Sequence, residues 1–231
     1  MPQRARYALY YAPPIDHPLT RTAARWLGRD VNGGRVPART LPPAWEPLIT
    51  DPRRYGFHAT LKPPMRLKSG VHAWDLQEAV NHFCREAPAV AIGRLRVARI
   101  GRFFALVPEV TPDGLNDLAD AVVTAFDSFR APMGEEEFDR RNKPGLDPVE
   151  VENLRTWGYP YVFERFRFHM SLTGPVPEEL SADIEAELKR QFAPCLADPV
   201  VIDALSLFME EVPGADFVAL SRTALGGRVP S

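Results

Sequence analysis

A five-residue string, Phe57-His58-Ala59-Thr60-Leu61, returns in the second half of the chain as Phe168-His169-Met170-Ser171-Leu172. In an extended strand alternate side chains share a face. Phe57, Ala59 and Leu61 therefore point into a core while His58, Thr60 and Lys62 point out together. The second copy behaves alike, with Phe168, Met170 and Leu172 on the apolar face and Arg167, His169, Ser171 and Thr173 on the other. Each strand offers an imidazole, a hydroxyl two residues on, and a cation, Lys62 in the first and Arg167 in the second. Two such strands facing one cleft make a phosphate site.

The elements around the motif repeat with it. Arg6 to Tyr11 reads as a strand stopped by Pro13-Pro14. A helix follows from about Pro18 to Gly28, with Leu19, Ala23, Trp26 and Leu27 on one face. Residues 29 to 56, with Gly33-Gly34, read as a long loop that delivers Arg53, Arg54 and Tyr55 to the mouth of the first histidine strand. Beyond it come a helix over about Ala73 to Glu86 and a hairpin of Val90 to Ile100 and Phe103 to Val107, turning at Gly101-Arg102. After the second motif, on a strand from Arg165 to Thr173, the pattern predicts a helix to Phe192 and a hairpin of Val200 to Phe208 and Phe217 to Leu225. Strand, helix and two strands, twice over, predict an α+β fold of two lobes related by a pseudo-twofold, with the histidine strands opposed. The expected lobes cover residues 50 to 110 and 165 to 226 of one bilobal domain, 1 to 231. Between them lie a helix over Pro112 to Phe129 and an insertion over 130 to 164. Within the insertion, Glu135-Glu136-Glu137 reads as a solvated helix face. The basic turn Arg140-Arg141-Asn142-Lys143, followed by Trp157-Gly-Tyr-Pro-Tyr161, is where a lid over the cleft would be built.

Composition narrows the partners. A chain that is 45% hydrophobic can bury a core, and a formal charge of −2 opposes the broad basic surface that long nucleic acid requires. DNA is excluded on that ground, whereas a small anion or an RNA end needs only a local cluster of cations. Cys84 and Cys195 lie far apart, with no CxxC spacing and no neighbouring histidine pair, so they read as ordinary thiols rather than zinc ligands. The apolar run Tyr7 to Ala12 is too short for a signal segment or a membrane span, which predicts a cytoplasmic protein with no membrane partner. A monomer is expected. His72 and His82 belong to a surface helix and are expected to stand apart from the chemistry.

The paired histidine strands resemble those of the two-histidine (2H) phosphoesterase superfamily. The flanking strings Arg54-Tyr-Gly-Phe-His-Ala-Thr-Leu-Lys-Pro-Pro64 and Trp157-Gly-Tyr-Pro-Tyr161, with Phe166 to Gly174, are similar to the branch whose genes accompany phosphonate-utilisation operons. That resemblance covers nearly the whole chain. It implies a bilobal α+β fold of antiparallel sheets around a central cleft, and hydrolysis or ligation of cyclic or 2′-5′ phosphodiesters without metal or cofactor. His58 and His169 would be the catalytic pair, and Thr60 and Ser171 the hydroxyls on phosphate. Serine in the second motif keeps the donor but lacks the stiffness of a β-branched side chain. The implied substrate is a small phosphorylated sugar or nucleotide, with a ribose 1,2-cyclic phosphate as the candidate in phosphonate metabolism.

Two opposed histidines suit the opening of a cyclic phosphodiester, which needs a base for water on one side of phosphorus and an acid for the departing oxygen on the other. An imidazole pKa of about 6.5 lets one ring be neutral and the other protonated near neutrality. Lys62 and Arg167 would meet charge on the non-bridging oxygens, and Tyr55 and Tyr161, which flank the motifs, would pack on sugar or base. Tyr7, Tyr11 and Tyr159 are further stacking candidates. The side chains alone leave the base unassigned, and the chemistry runs in both directions. Three alternatives stand beside the cyclic phosphodiesterase: an RNA-end 2′,3′-cyclic phosphodiesterase or 2′-5′ ligase, a non-catalytic nucleotide-binding module, and a metal hydrolase. For the last, the sequence holds no HxxxH or HxH spacing.

Overall fold

β1 (Arg6–Tyr11) is buried from Tyr7 onward because it runs through the interior of a seven-stranded sheet rather than along its edge. The computed structural model describes residues 5–33, 36 and 41–227, so Gly34 of the expected loop lies outside the described residues. The other strands of the sheet are β2 (Ala59–Met65), β4 (Leu95–Ile100), β5 (Phe103–Pro108), β6 (Met170–Ser171), β8 (Ala204–Glu210) and β9 (Val218–Ala224). β3 (Val90–Gly93) and β7 (Val200–Ile202) pair with each other in a second, two-stranded sheet. All of these pairings are antiparallel.

The strand order, β4-β5-β6-β2-β1-β8-β9, is a palindrome about the contact between the two motif strands. On one side β6 is followed by β5 and β4; on the other β2 is followed by β1 and β8. The internal repeat therefore runs from β1 to β4 and from β5 to β8, one strand earlier than the sequence predicts. The last strand of each copy pairs with the first strand of the other, β4 with β5 and β8 with β1. The tight Gly101-Arg102 turn makes β4 and β5 look like one local hairpin, which hides the boundary between the copies. Among the described residues β9 has no counterpart.

Helices cover the sheet where their apolar faces dictate. α1 (Pro18–Leu27) buries Leu19, Ala23, Trp26 and Leu27 as expected; the His17 side chain accepts from Leu19 N, and Gly28 ends the helix in the left-handed region. Trp26 Nε1 donates to Leu172 O at 2.7 Å, tying this helix to the second motif. The expected loop is ordered over much of its length, as a 3₁₀ turn (Pro43–Ile49) followed by α2 (Thr50–Tyr55). α3 (Ala73–Glu86) packs against β8 and β9, and α7 (Glu178–Phe192) packs against β4, as the palindrome requires. α4 (Leu115–Asp127) lies on β2. The insertion folds as α5 (Glu135–Arg141) and α6 (Pro148–Trp157). No described helix is long and apolar enough to cross a membrane.

Both motifs turn their predicted apolar faces inward: Phe57, Ala59 and Leu61, and Phe168, Met170 and Leu172, belong to one buried cluster. The second motif strand is nonetheless shorter than predicted, because Phe163–Arg165 forms a 3₁₀ turn and only Met170–Ser171 joins the ladder, between Ala59 and Leu106.

Candidate active site

Adjacent pairing of β2 and β6 sets His58 and Thr60 beside His169 and Ser171 in one cavity of about 310 Å³. The two imidazoles are held alike. His58 Nδ1 lies 2.9 Å from Gly56 O, and His169 Nδ1 lies 2.8 Å from Arg167 O, in each case the carbonyl two residues earlier. A carbonyl oxygen only accepts, so each Nδ1 carries the proton and each neutral ring presents the lone pair of Nε2. On His58 that lone pair receives the Thr60 hydroxyl, at 3.1 Å.

Gly56 makes the first of these bonds available. Its φ of 80° and ψ of 174° lie where only glycine rests without strain, and a Cβ there would stand 1.9 Å from Val31 Cγ1. The chain thus leaves α2 abruptly, with a carbonyl aimed back at the His58 ring.

The surroundings of the two rings differ. Tyr10 stacks on His58 with centroids 3.7 Å apart, and Phe208 adds a second aromatic neighbour at 6.2 Å. Burial pushes the His58 pKa down to about 4, against the opposing bond from Gly56 O, and the nearby His169 lowers it a little further. Burial also lowers His169, which touches Phe103 at 5.6 Å. Tyr10 is absent from the sequence-level candidates. Its position follows from register: it sits directly across from Thr60 on β1, so the two share a face. No local motif marks it.

Lys62 does not reach the cavity. Leu9 pairs with Lys62 while Tyr10 pairs with Thr60, so Leu61 is the extra residue of a bulge and the alternation of faces is broken there. The Lys62 side chain turns to the helix side of the sheet, fully buried, where Nζ donates to Val123 O at 3.0 Å and Asp127 Oδ1 at 2.8 Å on α4. Arg167 is exposed and outside the lining, and only its backbone carbonyl serves the site. Tyr55 lines the cavity, stacked on Phe217 at 5.0 Å. Tyr161 is 46% exposed and stands outside; Tyr159, its edge-on neighbour at 5.4 Å, faces the cavity instead. Tyr7 and Tyr11 are core residues. Thr173 is buried at the cavity wall, its hydroxyl accepting from Phe104 N at 2.9 Å.

The remaining expectations sort by partner. Arg53 donates to Leu27 O and Arg54 to Glu210 rather than projecting freely. His72 occupies the N-cap of α3 and His82 is exposed beside Arg85. Glu137, at the edge of the acidic run, is not simply solvated, because it pairs with Arg66 and Arg141. Both cysteines are free and buried. Among the described residues no three His, Cys, Asp or Glu side chains are grouped to hold a metal ion.

Comparisons with known proteins add the following. Residues 60–218 match the family described as "Protein of unknown function (DUF1045)". A curated protein of Janthinobacterium sp. (strain Marseille), named ribose 1,5-bisphosphate phosphokinase PhnN, is 37% identical over 236 residues, covering 96% of this chain and 51% of its own length. A protein of the same name from Laribacter hongkongensis (strain HLHK9) is 34% identical over 219 residues, covering 92% and 50%. The chain spans about half the length of the curated relatives it matches. Among solved structures, E. coli LigT complexed with 3′-AMP is 16% identical, covers 97% of this chain and 99% of its own, and has a TM-score of 0.46. TT0787 of Thermus thermophilus is also 16% identical, covers 97% and 100%, and has a TM-score of 0.45.

Proposed function

The chain belongs to the DUF1045 family, and on that premise we propose that it is a metal-independent phosphoesterase that opens a small cyclic phosphodiester, with His58 as general base and His169 as general acid. The observation that carries this reading is the matched pair of imidazoles in one cavity, each with Nδ1 tied to a carbonyl and Nε2 left for proton transfer once substrate draws the Thr60 hydroxyl off His58. With Nδ1 so tied, Nε2 is the nitrogen each ring has for exchanging a proton with substrate or water.

His58, held neutral by burial, takes a proton from water through Nε2 as the water oxygen bonds to phosphorus. His169, the more readily protonated ring, gives its Nε2 proton to the ester oxygen as the P–O bond breaks. Negative charge on the non-bridging oxygens is met by the hydroxyls of Thr60 and Ser171. The ring opens to a phosphomonoester, His58 leaves the step protonated and His169 neutral, and exchange with solvent restores the pair.

For the substrate, we favour a ribose 1,2-cyclic phosphate. Cleavage of its P–O2 bond leaves phosphate on C1, and with a second phosphate on C5 the product is ribose 1,5-bisphosphate. The curated relatives, half of whose length this chain matches, are named for a kinase of that compound. Hydrolysis by this chain would then supply the kinase's substrate within phosphonate metabolism, the setting to which the flanking strings point.

The test is turnover by purified protein in EDTA, on ribose 1,2-cyclic phosphate compounds beside 2′,3′-cyclic nucleotides, with His58→Ala as control. Opening of the sugar phosphates, lost in the variant, is expected. Opening of the nucleotides alone would move the enzyme to RNA ends, and binding without turnover of either would make it a binding module.

A further inference from the structure

Behind Tyr55 and Tyr159, two of the residues that line the histidine cavity, stand guanidinium groups that the hydrolysis does not use and that are not themselves part of the lining. Arg6 and Arg54 both pair with Glu210, whose side chain is fully buried and also accepts from Gly214 N. Arg141 and Arg66 both pair with Glu137. Four cations thus share two carboxylates, and the surplus is positive. Arg54 Cζ stands 4.2 Å from the ring centroid of Tyr55, Arg6 shares the Glu210 carboxylate with Arg54 and is within electrostatic reach of Tyr55, and Arg141 is held at Gly158, beside Tyr159 in the chain. Tyr55 in turn lies 6.4 Å from His58, centroid to centroid. Tyr55 thus stands between Arg54 and the proposed base, touching the one and facing the other.

These arginines are set in place by bonds that a ligand would not have to break. Arg141 Nη1 donates to Gly158 O at 2.9 Å, which fixes the end of α5 against the residue before Tyr159. Each of the three side chains keeps about a quarter of its surface open. A half-buried guanidinium with unused donors is suited to a phosphate dianion, which takes paired N–H bonds. Asp51 lies on the rim of the lining, but no described cation of the cluster pairs with it.

We propose that Arg6, Arg54 and Arg141, with the hydroxyls of Tyr55 and Tyr159, form a second anion subsite that holds a terminal phosphomonoester on the same substrate whose cyclic phosphate lies between the histidines. The proposal rests on the phosphoesterase reading above and deepens it, by assigning the residues that would hold the second phosphate of the favoured sugar. It also gives the α5–α6 insertion a task, because Arg141 is the insertion's contribution.

Two measurements test it. In the first, kcat/KM of the unmodified protein is compared on ribose 1,2-cyclic phosphate with and without a 5-phosphate. A preference of at least about tenfold for the 5-phosphorylated compound is expected, as charge-assisted bonds of this kind supply; equal values overturn the subsite while leaving the hydrolase intact. In the second, ribose 5-phosphate and ribose are titrated calorimetrically into the unmodified protein and into Arg141→Gln and Arg141→Lys, whose folding is checked by Tm. Binding of ribose 5-phosphate but not ribose is expected, weakened about tenfold or more by glutamine and less by lysine. No binding, or binding that Arg141→Gln leaves unchanged in a folded protein, overturns the subsite. If neither cyclic sugar is opened, the hydrolase reading falls, and the titration still decides whether the arginines hold a phosphomonoester.

Discussion

Tyr10 lies flat against His58, with ring centroids 3.7 Å apart and planes 20° from parallel. The contact excludes water from one face of the imidazole, and exclusion of water is the principal reason the ring resists protonation. Replacing Tyr10 by Leu keeps an apolar side chain but removes the flat cover. The His58 pKa should then rise from about 4 towards the unperturbed 6.5, and NMR titration of the His58 ring protons would register it. An unchanged titration would mean that the rest of the cavity wall, not Tyr10, sets the proton affinity.

On the proposed mechanism, the two lowered histidines predict the pH at which turnover is greatest. Productive protonation needs His58 neutral and His169 protonated. The first condition is lost as pH falls through about 4, and the second as pH rises through a His169 value that burial holds below 6.5. A bell-shaped kcat/KM profile with its maximum on the acidic side of neutrality is expected. His169→Ala should lower turnover by about 10² to 10⁴-fold and remove the upper limb. A maximum above pH 7.5 would reverse the assignment of roles or exclude it.

Stability should depend on the same ring. Between pH 6.5 and 4 the unfolded chain's histidine takes up a proton that folded His58 declines, so the unfolded state binds more protons and stability falls as the pH is lowered through that window. Above 6.5 the contribution is complete, and below about 4 no more is lost. At about 1.4 kcal/mol per pKa unit, discounted because the ring edge meets the cavity, the loss is on the order of 2 kcal/mol. Denaturant melts at pH 7 and pH 4.5 should differ by at least roughly that amount, since His169 and His17 are lowered in the same direction, and His58→Gln should reduce the difference.

Lys62 shows what the motif pattern conveyed and what it missed. Period-two alternation placed Phe57, Ala59, Leu61 and their counterparts correctly in the core, and it set both histidines on one face. It failed one residue further on, because the bulge at Leu61 is a property of the β1–β2 register and leaves no trace in the string itself. Tyr10 was hidden for the same reason, since its nearness to His58 depends on cross-strand pairing, and Tyr159, a candidate from the sequence, could not be ranked above Tyr161 because that depends on the path of the chain after α6. The repeat was readable, yet its phase was not: the Gly101-Arg102 turn marks a local hairpin equally well whether it closes one copy or joins two.

The buried Lys62–Asp127 pair is then structural, and the two partners should respond unequally. Asp127→Ala leaves a fully buried ammonium with one carbonyl partner and should cost about 3–5 kcal/mol. Lys62→Met fills the same space with an apolar chain, and Asp127 keeps Arg130, so a cost of about 1 kcal/mol or less is expected. Denaturant melts of both variants check the asymmetry. Because Lys62 faces α4, Lys62→Met should also keep kcat/KM within a factor of about three; a loss of orders of magnitude would return the lysine to the phosphate.

Gly56 links backbone geometry to the chemistry most directly. Its carbonyl holds His58 Nδ1, and its φ of 80° with ψ of 174° is what points that carbonyl at the ring. Gly56→Ala would drive a methyl group into Val31 and strain the backbone, at about 3 kcal/mol for the two effects together. Any relief must rotate the peptide, which releases Nδ1 and lets the imidazole choose the other tautomer. The variant should therefore lose turnover at temperatures where it is still folded, by about 10²-fold, the scale of a misdirected general base. Val31→Ala in the same chain clears the clash without restoring glycine's backbone freedom. Partial recovery of Tm without recovery of kcat in the double variant is the expected result, and recovery of both would show that Gly56 serves packing alone.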